Sequence, residues 1–348
     1  VFDGQVKDLL SQLEEDGLLD ETIVFLFADH GHGLPGHKRW LDNAGLQVPF
    51  ILHVPDKYKH LVENISGPES DRLVSFVDFA PTTLSLAGAN VPEMMEGNDF
   101  LREEENKYAF GYRDRADDCY EVARSVYDGR YLYIRHFMPQ LPYFQNALIF
   151  NKGGSYTEMN RLREAGQLTD AAKKMYATKP VEILFDLQED PLEQNNLAFM
   201  PEYEKKVAEL AGKMDDWMIQ HRDTGLLTEG IMMQQASQAE ESVYAISRAY
   251  SEESFKEVLK VAKMVGKIKQ LSEVIPHLES ENDAVRFWAL IGIDAFEGDT
   301  GLLTAKIQEM LSDEVPAVAA KAAEILIKYE ENKAAYEVLS DLLLLEDE

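Results

Sequence analysis

The first ninety residues alternate amphipathic and continuously apolar segments. Residues 6–19 place apolar side chains at helical spacing, which predicts an amphipathic helix. Two short apolar runs follow, residues 23–28 and 48–54, and their β-branched and aromatic content predicts strands buried on both faces. Residues 78–88 have a proline in the first turn and a final glycine, which predicts another helix. This order of elements is typical of a doubly wound α/β domain.

After residue 111 the pattern changes to alternation of apolar and polar positions. Residues 121–127 and 131–135 alternate, and the intervening Asp128-Gly129-Arg130 predicts a hairpin turn. Residues 181–187 form a third candidate strand, and residues 201–220 have the pattern of an amphipathic helix. These segments predict a small antiparallel sheet with a helix packed on it.

From about residue 250 the pattern is helical, and it repeats. Several small or apolar residues recur at an offset of 33 positions: Leu278 and Leu311, Ala284 and Ala317, Val285 and Val318, Ala289 and Ala322. The repeat resembles HEAT-like arrays, in which stacked helix pairs share one core. An unrelated small helical bundle is the alternative interpretation.

Composition narrows the classes of partner. A hydrophobic fraction of 45% is enough for a folded core, and no apolar run reaches the length of a membrane span. The formal net charge of −29 would repel nucleic-acid phosphates and anionic lipid surfaces, so neither is an expected partner. The single cysteine, Cys119, excludes an internal disulfide and a cysteine-based zinc site, and its acidic neighbours disfavour a reactive thiolate.

The densest group of chemically active side chains lies in residues 28–40, directly after the first predicted strand. Asp29 and His30 are a plausible half of a metal site, and Lys38 adds a mobile cation for an anionic group. Ligands bind where strands of open α/β sheets end, which favours a functional site here. In the alternative interpretation, Asp29 caps a turn and the histidines are solvated loop residues.

Four motifs occur in the order in which the type I sulfatases, members of the alkaline-phosphatase superfamily, carry them. Residues 18–33 resemble their second metal-binding motif, residues 36–50 their lysine loop and the strand after it, and residues 77–88 their Asp-x-x-Pro-Thr helix. Residues 183–197 resemble their C-terminal signature. The Leu-Pro-Gly-His-Lys sequence ending at Lys38 is most similar to the heparan N-sulfatase-like branch. The resemblance extends to about residue 222.

The resemblance implies roles for individual residues. Asp29 and His30 would ligate a divalent cation, with Ca²⁺ expected and Mg²⁺ as the alternative. Lys38 would be catalytic, contacting a sulfate oxygen and stabilising charge as the bond to sulfur breaks.

His37, Arg113 and Arg115 would be substrate-binding residues, the two arginines gripping a carboxylate or sulfate of a sugar. For the arginines, an ion pair with Asp114 or Asp117 is an equally weighted alternative.

The nucleophile of the family, a formylglycine made from Cys or Ser in a Cys-x-Pro-Ser-Arg context, has no counterpart in the sequence. Cys119 is followed by Tyr-Glu-Val and lies beyond the second metal motif, so it does not fill that role. Because the chain also begins at Val1 without an initiator Met, we expect the C-terminal part of a longer sulfatase, with formylglycine in the missing N-terminal part and no activity of this part alone.

Two other functions stay open at this stage. A phosphodiesterase or phosphatase of the same superfamily would use His32 and His37 as further metal ligands. A non-catalytic relic would bind glycans or proteins, the latter through the helical repeats.

Together, the patterns and the resemblance predict an α/β fold with four segments. These are the C-terminal part of an alkaline-phosphatase-like doubly wound domain (1–110), a small antiparallel α+β subdomain (111–225), a linker (226–249) and an all-α HEAT-like tail (250–348). The expected ligand is a sulfated small molecule or glycan, and the tail offers possible protein contacts. By family resemblance the location is periplasmic or secreted.

Overall fold

The computed structural model describes residues 2–62, 67–116, 118–145, 154–298, 303–329 and 332–344. The chain forms two compact units. The first comprises Val1–Gly111, Val126–Leu132 and Asp186–Glu193, and the second comprises Tyr112–Ser125, Tyr133–Phe185 and Gln194–Glu348. None of the helices in the described ranges is long and apolar enough to cross a membrane.

The first unit contains the predicted helices and strands, and one short helix between the strands that the sequence did not predict. They are helix α1 (Phe2–Glu15), strand β1 (Val24–Phe27), helix α2 (Asn43–Leu46), strand β2 (Phe50–His53) and helix α3 (Phe79–Leu86). Strands β1 and β2 pair antiparallel, with Val24 opposite His53 and Phe27 opposite Phe50. Within the described residues they form a two-stranded sheet.

The pairing of these strands is a feature that the sequence did not predict, and one expectation about them is wrong. β1 and β2 are antiparallel, an arrangement that mainly parallel doubly wound sheets also contain at their edges. The reason is the connection between them, which carries only the four-residue α2 and not the crossover helix that parallel neighbours require. The strands are also not buried on both faces, because Phe27 is 44% exposed and Ile51 is 61% exposed.

Helix α3 begins beside a buried carboxylate. Asp78 accepts hydrogen bonds from the backbone amides of Ser75 and Asn98 and from Asn106 Nδ2, all at 2.9 Å. The Thr82 hydroxyl donates to the Asp78 carbonyl oxygen at 2.7 Å. These contacts explain the Asp-x-x-Pro-Thr sequence structurally, since each polar group buried here needs a partner.

Helix α2 is held by two carboxylates. Asp42 accepts a hydrogen bond from the backbone amide of Gly45 at 2.7 Å, and Glu193 accepts one from the backbone amide of Asn43 at 2.9 Å. The Ala44 amide also donates to Glu193. Burial and the neighbouring charge of Glu193 raise the pKa of Asp42 to about 7, and burial raises the pKa of Glu193.

A four-stranded antiparallel sheet follows, in the order β3-β4-β5-β6. Its strands are β3 (Ala109–Ala116), β4 (Cys119–Tyr127), β5 (Tyr131–His136) and β6 (Glu182–Asp186). The predicted hairpin turn between β4 and β5 is confirmed. Asp128 Oδ1 accepts from the amides of Arg130 and Tyr131 at 3.0 and 2.7 Å, and Gly129 has the left-handed φ of 95° that favours glycine.

The described part of the second unit contains ten α-helices. They are α4 (Gly154–Glu164), α5 (Asp170–Lys174), α6 (Glu204–His221), α7 (Glu229–Ala239), α8 (Val243–Ala249), α9 (Glu252–Ala262), α10 (Asp283–Asp294), α11 (Thr304–Glu309), α12 (Pro316–Tyr329) and α13 (Lys333–Leu342). Residues 226–249, predicted as a linker, form α7 and α8. The side chains of Thr228 and Ser242 cap these helices, and Ile231 is buried.

The helices after residue 250 pack side by side. Helix α10 contacts both α9 and α12, and α12 contacts α13. Five of the six residues predicted for buried faces are buried, namely Ala284, Val285, Ala289, Val318 and Ala322, while Ala317 is half-buried. Arg286 and Asp313 join α10 to the segment before α12 through hydrogen bonds of 2.8 and 2.9 Å.

Val285→Asp is expected to unfold this helical region. Val285 is fully buried, so the variant places an unpaired charge in the core, at a cost of about 3 kcal/mol or more. Urea unfolding followed by circular dichroism measures the effect. Ala334→Asp, at an exposed position of α13, is the control and should change the free energy of unfolding by less than about 0.5 kcal/mol. Equal stability of both variants would contradict the observed packing.

Asp42→Asn is expected to stabilise the chain at pH 8 and to leave it unchanged near pH 4. The folded-state pKa of Asp42, about 7, lies above its ordinary value of 3.8, so stability falls as the pH rises between these values. The Asn oxygen still accepts from Gly45. One pKa unit corresponds to about 1.4 kcal/mol, and solvent screening of this half-buried group leaves a gain on the order of 1–2 kcal/mol.

Urea unfolding at both pH values measures this gain. Asp56→Asn is the control with the opposite sign, because Lys59 lowers the pKa of the exposed Asp56. A gain for Asp42→Asn that does not vary with pH would exclude titration of Asp42 as its cause.

Candidate functional site

Asp29 and His30 lie just beyond the end of β1. The Asp29 side chain is 86% exposed, and its Oδ2 lies 3.6 Å from His30 Nε2. His30 Nδ1 lies 2.7 Å from the Gly31 carbonyl oxygen. A carbonyl oxygen only accepts, so Nδ1 carries a proton and Nε2 is the ring nitrogen left to face a cation. The two residues therefore offer one oxygen donor and one nitrogen donor to a cation.

Two glycines let this segment pack closely against α2. The Gly31 amide donates to the Gly45 carbonyl oxygen at 3.1 Å. A Cβ at Gly31 would overlap the Ala44 carbonyl oxygen, and a Cβ at Gly45 would overlap the carbonyl oxygens of Trp40 and His37. The backbone after β1 is thus seated directly on α2, and a larger residue at either position would push the two apart.

His37 and Lys38 lie in the same loop. The Lys38 amide donates to the His32 carbonyl oxygen at 2.9 Å, and the rings of His32 and His37 are 6.1 Å apart. His37 Nδ1 is shielded from solvent and has no hydrogen-bond partner in the described part of the chain. Within the same ranges no carboxylate pairs with the Lys38 ammonium, so it is available to an anion.

The donors present fit only part of a cation site. Among the residues that the structure describes, no three His, Cys, Asp or Glu side chains come close enough together to hold a metal ion. Ca²⁺ takes six to eight oxygen ligands, of which Asp29 supplies at most two. Asp29 and His30 would therefore need further ligands.

The two arginines in β3 have different surroundings. Arg113 is buried, with its Nη2 3.3 Å from Glu121, whose other oxygen lies 2.9 Å from Lys179 Nζ. Burial lowers the pKa of Lys179. Arg115 pairs with the half-exposed Glu229 at 3.1 Å. The ion pairs of both arginines therefore include partners that the sequence analysis did not consider, and Asp117 lies outside the described residues.

Sequence reasoning missed Arg124, the most deeply buried charge of β4. Its guanidinium is fully buried and lies 2.7 Å from Asp114 and 2.6 Å from Asp223. Burial raises the pKa of Asp114 despite the adjacent cation. A charged residue at an inward position of an alternating strand signals a buried ion pair. The sequence did not identify its partner, because Asp223 lies 99 residues away.

The C-terminal signature contributes structural contacts. Asp186 forms a bidentate pair with Arg130, with hydrogen bonds of 2.5–3.0 Å. Asn196 accepts from the Leu184 amide and donates to the Glu182 carbonyl oxygen, both at 3.0 Å. Glu193 holds α2. Asp186, Glu193 and Asn196 therefore fix either backbone or an arginine.

Comparison with known proteins adds a family match. Residues 2–89 match the family model described as Sulfatase. An ulvan-active sulfatase of Formosa agariphila is 39% identical over 232 residues, which are 66% of this chain and 38% of that protein. An N-acetylglucosamine-6-O-sulfatase of Bacteroides thetaiotaomicron is 26% identical over 227 residues, covering 64% of this chain and 34% of that protein.

A solved structure of a 2-O GAG sulfatase aligns at 24% identity and a TM-score of 0.45, covering 64% of this chain and 41% of that one. The chain thus spans between about a third and two fifths of the length of these proteins. Together, the family match over residues 2–89 and the curated relatives show that this chain is similar to sulfatases.

Proposed function

We propose that the protein containing this chain is a sulfatase, a sulfuric ester hydrolase that acts on sulfated glycans. The observation that carries the proposal is the loop after β1, where an exposed Asp29–His30 donor pair and the available Lys38 ammonium lie within the residues that match the sulfatase family. Relatives named for ulvan and for N-acetylglucosamine-6-sulfate activity support a glycan as the substrate class.

The residues of this chain would hold a cation and an anion side by side. Asp29 and His30 supply two ligands for a divalent cation, with Ca²⁺ expected and Mg²⁺ as the alternative. When bound, such a cation stabilises negative charge in the reaction. Lys38 contacts a sulfate oxygen through its ammonium and stabilises the charge that develops on it. The formylglycine nucleophile and the other cation ligands would come from sequence outside these 348 residues.

Substrate binding would depend on Arg115 and His37 more than on Arg113. Arg115 is half-exposed and can exchange Glu229 for a sulfate or carboxylate of the sugar. Arg113 would act by supporting β3, because Glu121 already neutralises it inside the protein. For the first substrate panel we choose ulvan and sulfated glucosamine, and heparan N-sulfate tests the branch suggested by the sequence ending at Lys38.

The helices after residue 250 would form a HEAT-like tail with possible protein contacts. The 33-residue offset and the burial of matched small residues on α10 and α12 support this part of the proposal. The family resemblance favours a periplasmic or secreted location.

Asp29→Asn and Lys38→Ala are expected to lower kcat by about 100-fold or more in the longest natural protein that contains this sequence, because each removes charge stabilisation at the reacting group. Hydrolysis of an aryl sulfate and of sulfated sugars measures the effect. Lys59→Ala, an exposed lysine paired with Asp56, is the control and should retain activity. Residues 1–348 alone should be inactive.

Two results would contradict the proposal and identify a different function. Hydrolysis of bis-(p-nitrophenyl) phosphate with no turnover of any sulfate ester would identify a phosphodiesterase. Glycan binding without turnover of either class would identify a non-catalytic protein.

Arg115→Ala is expected to weaken substrate binding, whereas Arg113→Ala is expected to lower the stability of the fold. Loss of Arg115 should raise KM for the sulfated sugar by about tenfold and change the free energy of unfolding by less than about 1 kcal/mol, since its ion pair is exposed. Loss of Arg113 should cost about 3–5 kcal/mol of stability, because it leaves buried Glu121 with one partner fewer. Urea unfolding and steady-state kinetics separate the two effects. A reversed pattern would assign substrate binding to Arg113.

A further inference from the structure

We propose that Glu193 is a positioning residue for the Asp29–His30 segment, acting through α2. The inference rests on the proposed function only for the meaning of that segment as a cation site. The contact itself is a property of the fold, because Glu193 lies 150 residues from Asn43 in sequence and its Oε1 accepts the Asn43 amide at 2.9 Å.

Glu193 and Asp42 hold α2 through its backbone amides. This helix has only four residues, so it supplies few partners for its own amides. Glu193 takes the amides of Asn43 and Ala44, and Asp42 takes that of Gly45. Hydrogen bonds to a carboxylate are about twice as strong as those between neutral groups.

Helix α2 in turn contacts the backbone next to the candidate site. Gly31 donates to the carbonyl oxygen of Gly45, and its Cα faces the carbonyl oxygen of Ala44 too closely to admit a Cβ. Gly31 directly follows His30, and its carbonyl oxygen accepts a hydrogen bond from His30 Nδ1 at 2.7 Å. A shift of Asn43 and Ala44 would therefore move the backbone that orients the side chains of Asp29 and His30.

The backbone of Glu193 has an unfavourable conformation. Glu193 has a φ of 54°, in the left-handed region that disfavours residues other than glycine and asparagine. Its amide donates to the Asp190 carbonyl oxygen at 3.1 Å, closing the turn of the C-terminal signature. Such a conformation persists where surrounding contacts require it, and here it places the carboxylate against α2.

The test compares Glu193→Ala with Glu193→Gln, whose amide oxygen can still accept both hydrogen bonds. Glu189→Ala, an exposed acid four residues earlier, is the matched control. Amide hydrogen exchange in the 348-residue chain is the first measurement. Glu193→Ala should accelerate exchange about tenfold at Asn43, Ala44 and Gly31, the Gln variant should restore most of the protection, and the control should match the wild type.

The second measurement is the kinetics of the longest natural protein that contains the chain. Glu193→Ala should lower kcat by about tenfold with little change in KM, and Glu193→Gln should recover it. Faster exchange at Asn43 and Ala44 with unchanged exchange at Gly31 would overturn the proposal, because Glu193 would then only cap α2. Uniformly faster exchange throughout the chain would overturn it as well. A wild type without sulfatase activity, combined with the expected exchange pattern, would refute the proposed function and retain the positioning role.

Discussion

The loop between β1 and β2 has to satisfy its backbone polar groups almost without regular structure. Apart from the four-residue α2, the described chain from residue 28 to residue 49 forms no helix or strand. Its amides therefore need partners in the loop or elsewhere. Asp42 and Glu193 supply the carboxylates, and Gly31 and Gly45 allow the close approach of backbone to backbone. The geometry of the candidate site follows from this constraint.

Charge burial organises the second unit in a comparable way. The protein has 63 acidic residues against 34 lysines and arginines, so its few cations have many possible partners. Arg124 takes Asp114 and Asp223, while Arg135 donates to the carbonyl oxygens of Lys263 and Val265 at the end of α9. A buried guanidinium without partners would be strongly destabilising, so these contacts restrict how strands and helices can pack.

The residues that could act on a substrate differ from those that support them in whether contacts within the fold already engage their charged groups. Asp29, Lys38 and Arg115 keep exposed or available charged groups, whereas Glu193, Arg113 and Asp186 have theirs engaged in the fold. The candidate residues therefore include two kinds that sequence similarity alone treats alike. Burial and hydrogen bonding distinguish them.

The sequence by itself determined the local features of this protein. The hydrophobic pattern identified every described strand except β3, the hairpin at Asp128-Gly129-Arg130 and the helical region after residue 250, because each depends on residues only a few positions apart. The four motifs in order predicted the resemblance to sulfatases, which the match over residues 2–89 supports, and the group after β1 predicted the candidate site.

Only the tertiary structure decided which distant residues meet. The antiparallel pairing of β1 with β2, the contact of Glu193 with α2 and the burial of Arg113 beside Glu121 all depend on that choice. Glu193 appeared in the sequence as one letter of a signature, with nothing to indicate that its partner was Asn43. The physical reason is that periodicity records which side chains face inward, while packing and the pairing of buried polar groups determine what they face.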